Sequence, residues 1–354
     1  IILGDASAPS QITLNLDTLF STSLANYQKT MVDQIGASNA LLHKIIGSDA
    51  YESEDGGTDI RIPLMYQLGT MDSYDGYDEL STLPMDGITQ AVYEWRQEAV
   101  AIAYSMKEVI QNRHKLVDLV KTKITQAEMG FQEGFAIHLL QGSGAGALRT
   151  PKVSALNGSS SIEPLCKLVD FTPTTSTVIG NINQSTYSWW QNKIKNSTAT
   201  TYDGFLQEML NLYNTCSLGT GGTPNLIVFD QTTYELFVFA YFQKYRQTTS
   251  DMNFPFVNTK FQNAVVVFDD KMPDVSNNTV TVTEGSGFFL NTKFWKLKYM
   301  PDRNFSMLID ENGKTFVKPI NGDSRTGHIG WMGNACISNR RKQGVMADIA
   351  TSLT

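Results

Sequence analysis

The chain of 354 residues is short of cysteine, histidine and charge, and each shortage excludes a class of protein. Its three cysteines, Cys166, Cys216 and Cys336, lie far apart with no CxxC pair, which excludes a disulfide scaffold and a structural zinc site. Its four histidines, His43, His114, His138 and His328, share no metal-ligand spacing. Lys and Arg number 28 against 35 Asp and Glu, a formal charge of −7, too few cations for a broad face that reads duplex DNA. No apolar run nears the ~18 residues of a membrane span, so no membrane partner is expected. There is no basic-apolar signal pattern at the start, no internal repeat and no long low-complexity tract. The first residue is Ile1 rather than Met, which fits either a processed N-terminus or a sequence that begins late.

Candidates for chemistry are equally sparse. No G-x-S-x-G elbow occurs. Gly142-Ser143-Gly144-Ala145-Gly146 follows a helical pattern, whereas a phosphate cradle follows a strand and opens a helix. Asp269-Asp270 reads as a turn at a strand end. The sequons at Asn157, Asn183, Asn196, Asn277 and Asn304 read as chance in an Asn-rich chain. No residue set assembles an active site, so no enzyme, cofactor or metal is expected.

What is present is a core and an ordered run of elements. Hydrophobic residues make up 41%, enough for one large or two ordinary domains. Charged residues are only 18%, against roughly 25% in average globular chains, and Ser, Thr, Asn and Gln carry the polarity. That suits surface buried against other copies, and AT-rich coding equally. Residues 1–48 read as an arm ending in a helix. Residues 58–64 alternate as a strand, a polar tip spans 69–87, and 88–104 returns, together one long hairpin with a wide tip. From a cap at Asn112, Leu116, Val120, Ile124, Ala127, Phe131, Phe135 and His138 fall on one helical face. The spacing predicts a helix over 113–141, roughly 42 Å long, with His138 packed or hydrogen-bonded. A helix is expected near 202–215, a buried strand at 226–229, and a capping box at Thr232–Glu235 opening a helix to about 246. Strands are expected at 264–268, 279–283, 288–300, 305–309, 315–318 and after Gly333.

Charge is unevenly placed. From Ile45 to Met106 twelve acids face only Arg61 and Arg96, a net −10. From Asn291 to Gly344 ten bases face four acids, a net +6. Either this is a solvated surface of uneven charge, or the acidic hairpin docks on basic surface of another copy.

The run Phe289-Leu290-Asn291-Thr292-Lys293-Phe294-Trp295-Lys296-Leu297, then Pro319-Ile320-Asn321-Gly322-Asp323, then Gly333-Asn334-Ala335-Cys336-Ile337-Ser338-Asn339-Arg340-Arg341-Lys342-Gln343-Gly344-Val345, resembles tailed-bacteriophage major capsid proteins. The order of elements is similar to the Hong Kong 97 capsid fold over nearly the whole chain. The resemblance implies an α+β fold with an N-terminal arm (1–48), an extended β-hairpin loop (49–104) and a long spine helix (105–149). An α/β axial domain (150–287), peripheral β-sheet strands (288–335) and a C-terminal segment returning to the axial domain (336–354) complete it. It implies hexamers and pentamers that close an icosahedral head around double-stranded DNA in the virion, assembled in the host bacterial cytoplasm with portal, scaffold and cement or decoration proteins. Some members cross-link through a lysine in the extended loop; here no lysine lies between Lys44 and Lys107, so that chemistry is absent from this loop.

The charge pattern and this resemblance together nominate inter-subunit contacts. The acids are Asp72, Asp75, Asp78, Glu79 and Asp86 at the tip. The bases are Arg113, Lys115 and Lys121 on the spine helix and Arg303, Arg340 and Arg341 beyond it, with Trp95 as a core or interface residue. Readings from other classes are a nanocompartment shell of the same fold, an enzyme with an unrecognised site, and a tail or decoration protein.

Overall fold

The computed structural model describes residues 40–46, 49–69, 71–79, 86–111, 119–142, 161–244, 260–272, 285–309, 313–319 and 322–353. Residues 1–39 of the predicted arm, the Asn112 cap with Arg113, Lys115 and Leu116, and the predicted strand at 279–283 lie outside them. The chain opens with helix α1 (Ala40–Ile46), strands β1 (Tyr51–Ser53), β2 (Asp59–Met65), β3 (Ile88–Glu94) and β4 (Arg96–Ser105), and helices α2 (Met106–Gln111), α3 (Leu119–Leu140) and α4 (Leu165–Leu168). Next come β5 (Val178–Ile179), β6 (Ile182–Asn183), β7 (Lys193–Asn196), α5 (Tyr202–Ser217), β8 (Leu226–Phe229) and α6 (Gln231–Lys244). Seven strands finish it: β9 (Lys260–Phe261), β10 (Ala264–Phe268), β11 (Gly285–Leu290), β12 (Trp295–Tyr299), β13 (Ser306–Met307), β14 (Ser324–Ile337) and β15 (Gly344–Ile349). They fall into two compact units: one takes in the described parts of 100–130 and 307–329, the other those of 38–99, 131–306 and 330–354.

The second unit is built on a six-stranded sheet of order β7-β15-β11-β8-β10-β9. Leu226-Ile227-Val228-Phe229 is buried at every residue because β8 pairs with β10 on one side and β11 on the other. Phe205 from α5, Phe237 from α6 and Phe229 and Phe289 from the sheet are fully buried in one cluster, at about 1.5–3 kcal/mol each. Gly287 stands opposite Phe229, where a Cβ would run into the phenyl ring. β15 inserts between β7 and β11, so the sheet is complete only when residues 344–349 are in place.

Helix termini follow side-chain chemistry. Thr201 Oγ1 accepts from Gly204 N at 3.2 Å and opens α5. At the other end of α5, Lys342 Nζ donates to the carbonyls of Ser217, Leu218, Gly219 and Gly222 at 3.0–3.3 Å. The expected capping box at Thr232–Glu235 is corrected. α6 starts earlier because Asp230 is its cap, with Oδ2 accepting from Thr233 N at 3.0 Å and Oδ1 from the Thr233 hydroxyl at 2.6 Å. The carboxylate outcompetes a threonine hydroxyl as the acceptor for the first free N–H groups. Asp269 ends β10 in a turn as expected, and its Oδ2 also accepts from Leu41 N at 3.1 Å.

The other large sheet has the order β1-β12-β14-β13, with β4 also pairing β14. The spine-helix face is as the spacing predicts, with α3 burying Ala127, Phe131 and Phe135. In the first unit Ala127 joins Ile102 and Ile329. In the second, Phe135 meets Trp331 edge-on at 4.7 Å and Phe305 at 5.3 Å. His138 Nδ1 lies 3.0 Å from Glu98 Oε2, the hydrogen-bonded arrangement expected for it. The expected strand at 315–318 is not formed; a single bridge, Val317 to Thr326, stands in its place.

The predicted hairpin is real but shorter than expected. β2 and β3 pair antiparallel from Asp59↔Glu94 to Met65↔Ile88, and the return strand then breaks at Trp95, after which β4 joins β14. Val92 N donates outward to Gly180 O at 3.0 Å, so at the Arg61↔Val92 position the backbone groups face away from the partner strand. Alternation puts Asp59, Arg61, Pro63 and Met65 at outward positions on β2. Pro63 therefore sacrifices no ladder bond and blunts the free edge of the hairpin.

Candidate self-assembly surface

One face of the hairpin is packed and the other is bare. Ile60, Leu64, Ala91 and Tyr93 are buried on the first. The Tyr93 hydroxyl donates to Ile337 O at 3.0 Å and accepts from Ile337 N at 3.3 Å, and burial pushes its phenol well up from the usual value. Asn334 Nδ2 donates to Glu94 O at 2.8 Å, and Trp95, half-buried, donates its indole N–H to Gly57 O at 3.0 Å. On the opposite face the cross-strand pair Met65 and Ile88 is 71% and 73% exposed. Beyond it Leu68, Met71, Tyr74 and Tyr77 are exposed, Met71 at 91%.

The five tip acids share that surface. Asp72, Asp75, Asp78, Glu79 and Asp86 are all exposed, and none forms an ion pair among the described residues. Asp75 N donates to Asp78 Oδ2 at 3.0 Å, which shapes the turn at Gly76. Four other acids of the −10 segment are paired within the chain: Glu52 with Lys296, Glu54 with Lys298, Asp59 with Arg61 and Glu94 with Arg96. The charge left over is thus concentrated at the tip.

The nominated bases divide. Lys121 is exposed on α3, and Arg341 is exposed. Arg303 is exposed with Nη1 3.3 Å from Gln97 Oε1. Arg340 is corrected: it is fully buried and cannot receive a neighbour's carboxylate. Its guanidinium donates to Leu168 O, Gln184 Oε1, Trp190 O and Asn192 Oδ1 at 2.7–2.9 Å, and burial lowers its pKa to about 10. The planar fork suits four acceptors from three segments, which a surface role would leave unmet. Sequence reasoning missed the exposed Met65, Ile88, Leu68 and Met71, whose signal was a set of apolar residues in or beside an otherwise polar tip. Lys314, Lys318 and Arg325, counted among the ten bases of the C-terminal segment, are exposed as well.

The three thiols are buried; burial pushes Cys216 up to about 12 and raises Cys166 and Cys336 as well. No described group of three His, Cys, Asp or Glu could hold a metal ion. No described helix is long and apolar enough to cross a membrane.

No protein-family profile matches the chain, and no curated protein matches it in sequence. Solved structures do match. The cyanophage A-1(L) capsid asymmetric unit aligns at 14% identity over 93% of this chain and 98% of its own, with a TM-score of 0.69. The capsid of Myoviridae phage XM1 aligns at 10% identity over 92% and 97%, with a TM-score of 0.57. The holo-SrpI encapsulin complex of Synechococcus elongatus PCC 7942 aligns at 10% identity over 93% and 94%, with a TM-score of 0.55. A chain with this hairpin, long helix and α/β sheet, matched over more than nine-tenths of its length by capsid chains, has the Hong Kong 97-like capsid fold.

Proposed function

We propose that this chain is the major capsid protein of a tailed bacteriophage, a structural protein that assembles as hexamers and pentamers into an icosahedral head around double-stranded DNA. The observation that carries the reading is the hairpin tip. A folded subunit presents Met65, Ile88, Leu68, Met71, Tyr74 and Tyr77 to solvent at the end of a two-stranded arm, where a neighbouring copy can cover them. The tip acids add orientation and encounter rate, and apolar contact supplies most of the stability.

In this reading residues 1–48 reach a neighbour, 49–104 lie over an adjacent subunit, 105–149 and 288–335 form the peripheral domain, and 150–287 with 336–354 form the axial domain. Exposed receivers for the tip are Lys121, Arg303 and Arg341, with Arg113 and Lys115 on the same helix pattern. Portal, scaffold and cement proteins and packaged DNA are the expected partners, assembly takes place in the host cytoplasm, and the virion is the destination. Electron microscopy of the expressed chain tests this: closed shells of uniform diameter are expected, and monodisperse monomers of about 39 kDa under all conditions would overturn it.

The encapsulin neighbour supports a second reading, a nanocompartment shell. The contents decide between them. Nuclease-protected DNA in particles from the native source supports a phage head, and a co-purifying cargo protein supports a nanocompartment.

A further inference from the structure

Among the described residues, two contacts, one on each side of the hairpin, hold it to the body of the chain. On the β2 side Tyr66 stacks on Trp189, with ring centroids 5.0 Å apart and planes 16° from parallel. On the β3 side Val92 N donates to Gly180 O at 3.0 Å. Gly180 sits at φ +59, and a Cβ there would lie 2.9 Å from Ala91 Cβ and 3.1 Å from the Tyr93 ring, so only glycine lets the 178–183 turn come this close. Past Tyr66, every described residue from 67 to 79 is exposed.

The segment that makes both contacts is itself rooted in the core. Trp189 abuts Trp190 at 5.8 Å, and Trp190 is buried with its indole N–H on Ile179 O at 2.9 Å. Arg340 donates to Trp190 O at 2.7 Å and to Gln184 Oε1 at 2.9 Å, and Gln184 Nε2 donates to Asp170 Oδ2 at 2.6 Å. A two-stranded ribbon has little stiffness of its own. Its direction is therefore set where it meets something rigid.

We propose that residues 178–190 are a brace that sets the direction in which the hairpin delivers its tip to a neighbouring copy, with Trp189 and Gly180 as the contact points. The delivery step rests on the shell reading above; the brace does not. A small rotation at Tyr66 is magnified toward the tip, because each further strand residue adds about 3.3 Å of reach. Loss of the brace leaves the subunit folded and changes what it builds.

The test uses the full chain, unassembled and assembled. Spin labels at Gln90→Cys on β3 and Asn214→Cys on α5 report hairpin direction; both sites are exposed and the native thiols are buried. With Trp189 intact the distance distribution is narrow. Trp189→Ala is expected to at least double its width and speed exchange of the Val92 amide ten-fold or more, while Trp189→Phe keeps both near the parent. Tyr66→Ala, at a more exposed ring, does the same without touching the core. In assembly the Ala variants give shells of mixed diameter. Unchanged width and Val92 protection in both Ala variants would overturn the brace, and uniform parent-sized shells from them would overturn the delivery step. If the parent chain forms no shell yet the labels respond as expected, the shell reading fails and the brace as a hairpin-directing device stands.

Discussion

Lys298 Nζ lies 2.6 Å from Glu54 Oε2, an ion pair closed within one chain between the acidic hairpin segment and the basic C-terminal segment. Parallel pairing of β1 with β12, in which Glu52 stands beside Lys298 and Ser53 beside Tyr299, brings the two together. The side chains are partly exposed, so the pair contributes ~1 kcal/mol or less. A double-mutant cycle on Glu54→Gln and Lys298→Gln, read by thermal unfolding, should return a coupling in that range and leave assembly unchanged.

Tip acids should behave in the opposite way. Replacing Asp72, Asp75 and Asp78 together by Asn should leave subunit melting within about 1 °C, since none forms an ion pair in the described chain, the expectation for surface changes of this kind. Light scattering should show slower assembly at low salt and a flatter salt dependence than the parent. An unchanged salt profile would mean the tip meets no basic surface.

The apolar residues of the same loop should matter more to assembly than its acids. Met71→Ser or Tyr77→Ser removes a side chain that is bare in the subunit, so stability is expected to hold. If the side chain is covered in the shell, its loss costs about 1.5–3 kcal/mol per site, and the assembly concentration should rise roughly ten-fold or more, measured by sedimentation.

Arg340→Ala should be severe. It strips partners from Leu168 O, Gln184 Oε1, Trp190 O and Asn192 Oδ1 in a buried site, at about 3–5 kcal/mol by denaturant unfolding. Arg340→Lys should rescue little, because an ammonium cannot span the four acceptors. Arg341→Ala, one residue on and exposed, should be near neutral.

Acid should loosen the first unit. Glu108 in α2 accepts from Lys123 Nζ at 2.8 Å, and this bond, with the lysine charge and the Ser105 N–H, holds its carboxyl below the usual range. A depressed folded pKa stabilises fully above the unfolded value, about 4.3, and is lost as pH falls from there through the folded value. Hydrogen exchange of α2 amides should rise across that window, and Glu108→Gln should remove the pH step.

The helical repeat of Ala127, Phe131 and Phe135 and the Leu226–Phe229 run were legible in the sequence because local periodicity reports burial directly. The acidic tip was legible for the same reason: charge is a property of the residues themselves. The capsid-like order of elements could be read along the chain as well. Tertiary structure alone decided the rest. Arg340 and Arg341 are adjacent and chemically identical, yet one is buried under three segments far away in sequence and the other is exposed. Glu54 and Asp72 are both acids of the same segment, yet only the first meets a lysine, because β12 arrives beside β1 from more than two hundred residues on. Met65 follows strand alternation like its neighbours, but which face of a two-stranded hairpin is covered depends on the turn at Gly180, and no local pattern encodes that approach. Burial and pairing are set by long-range packing, so the sequence determined the elements and their order, and the fold determined which side chains remained free to meet another copy.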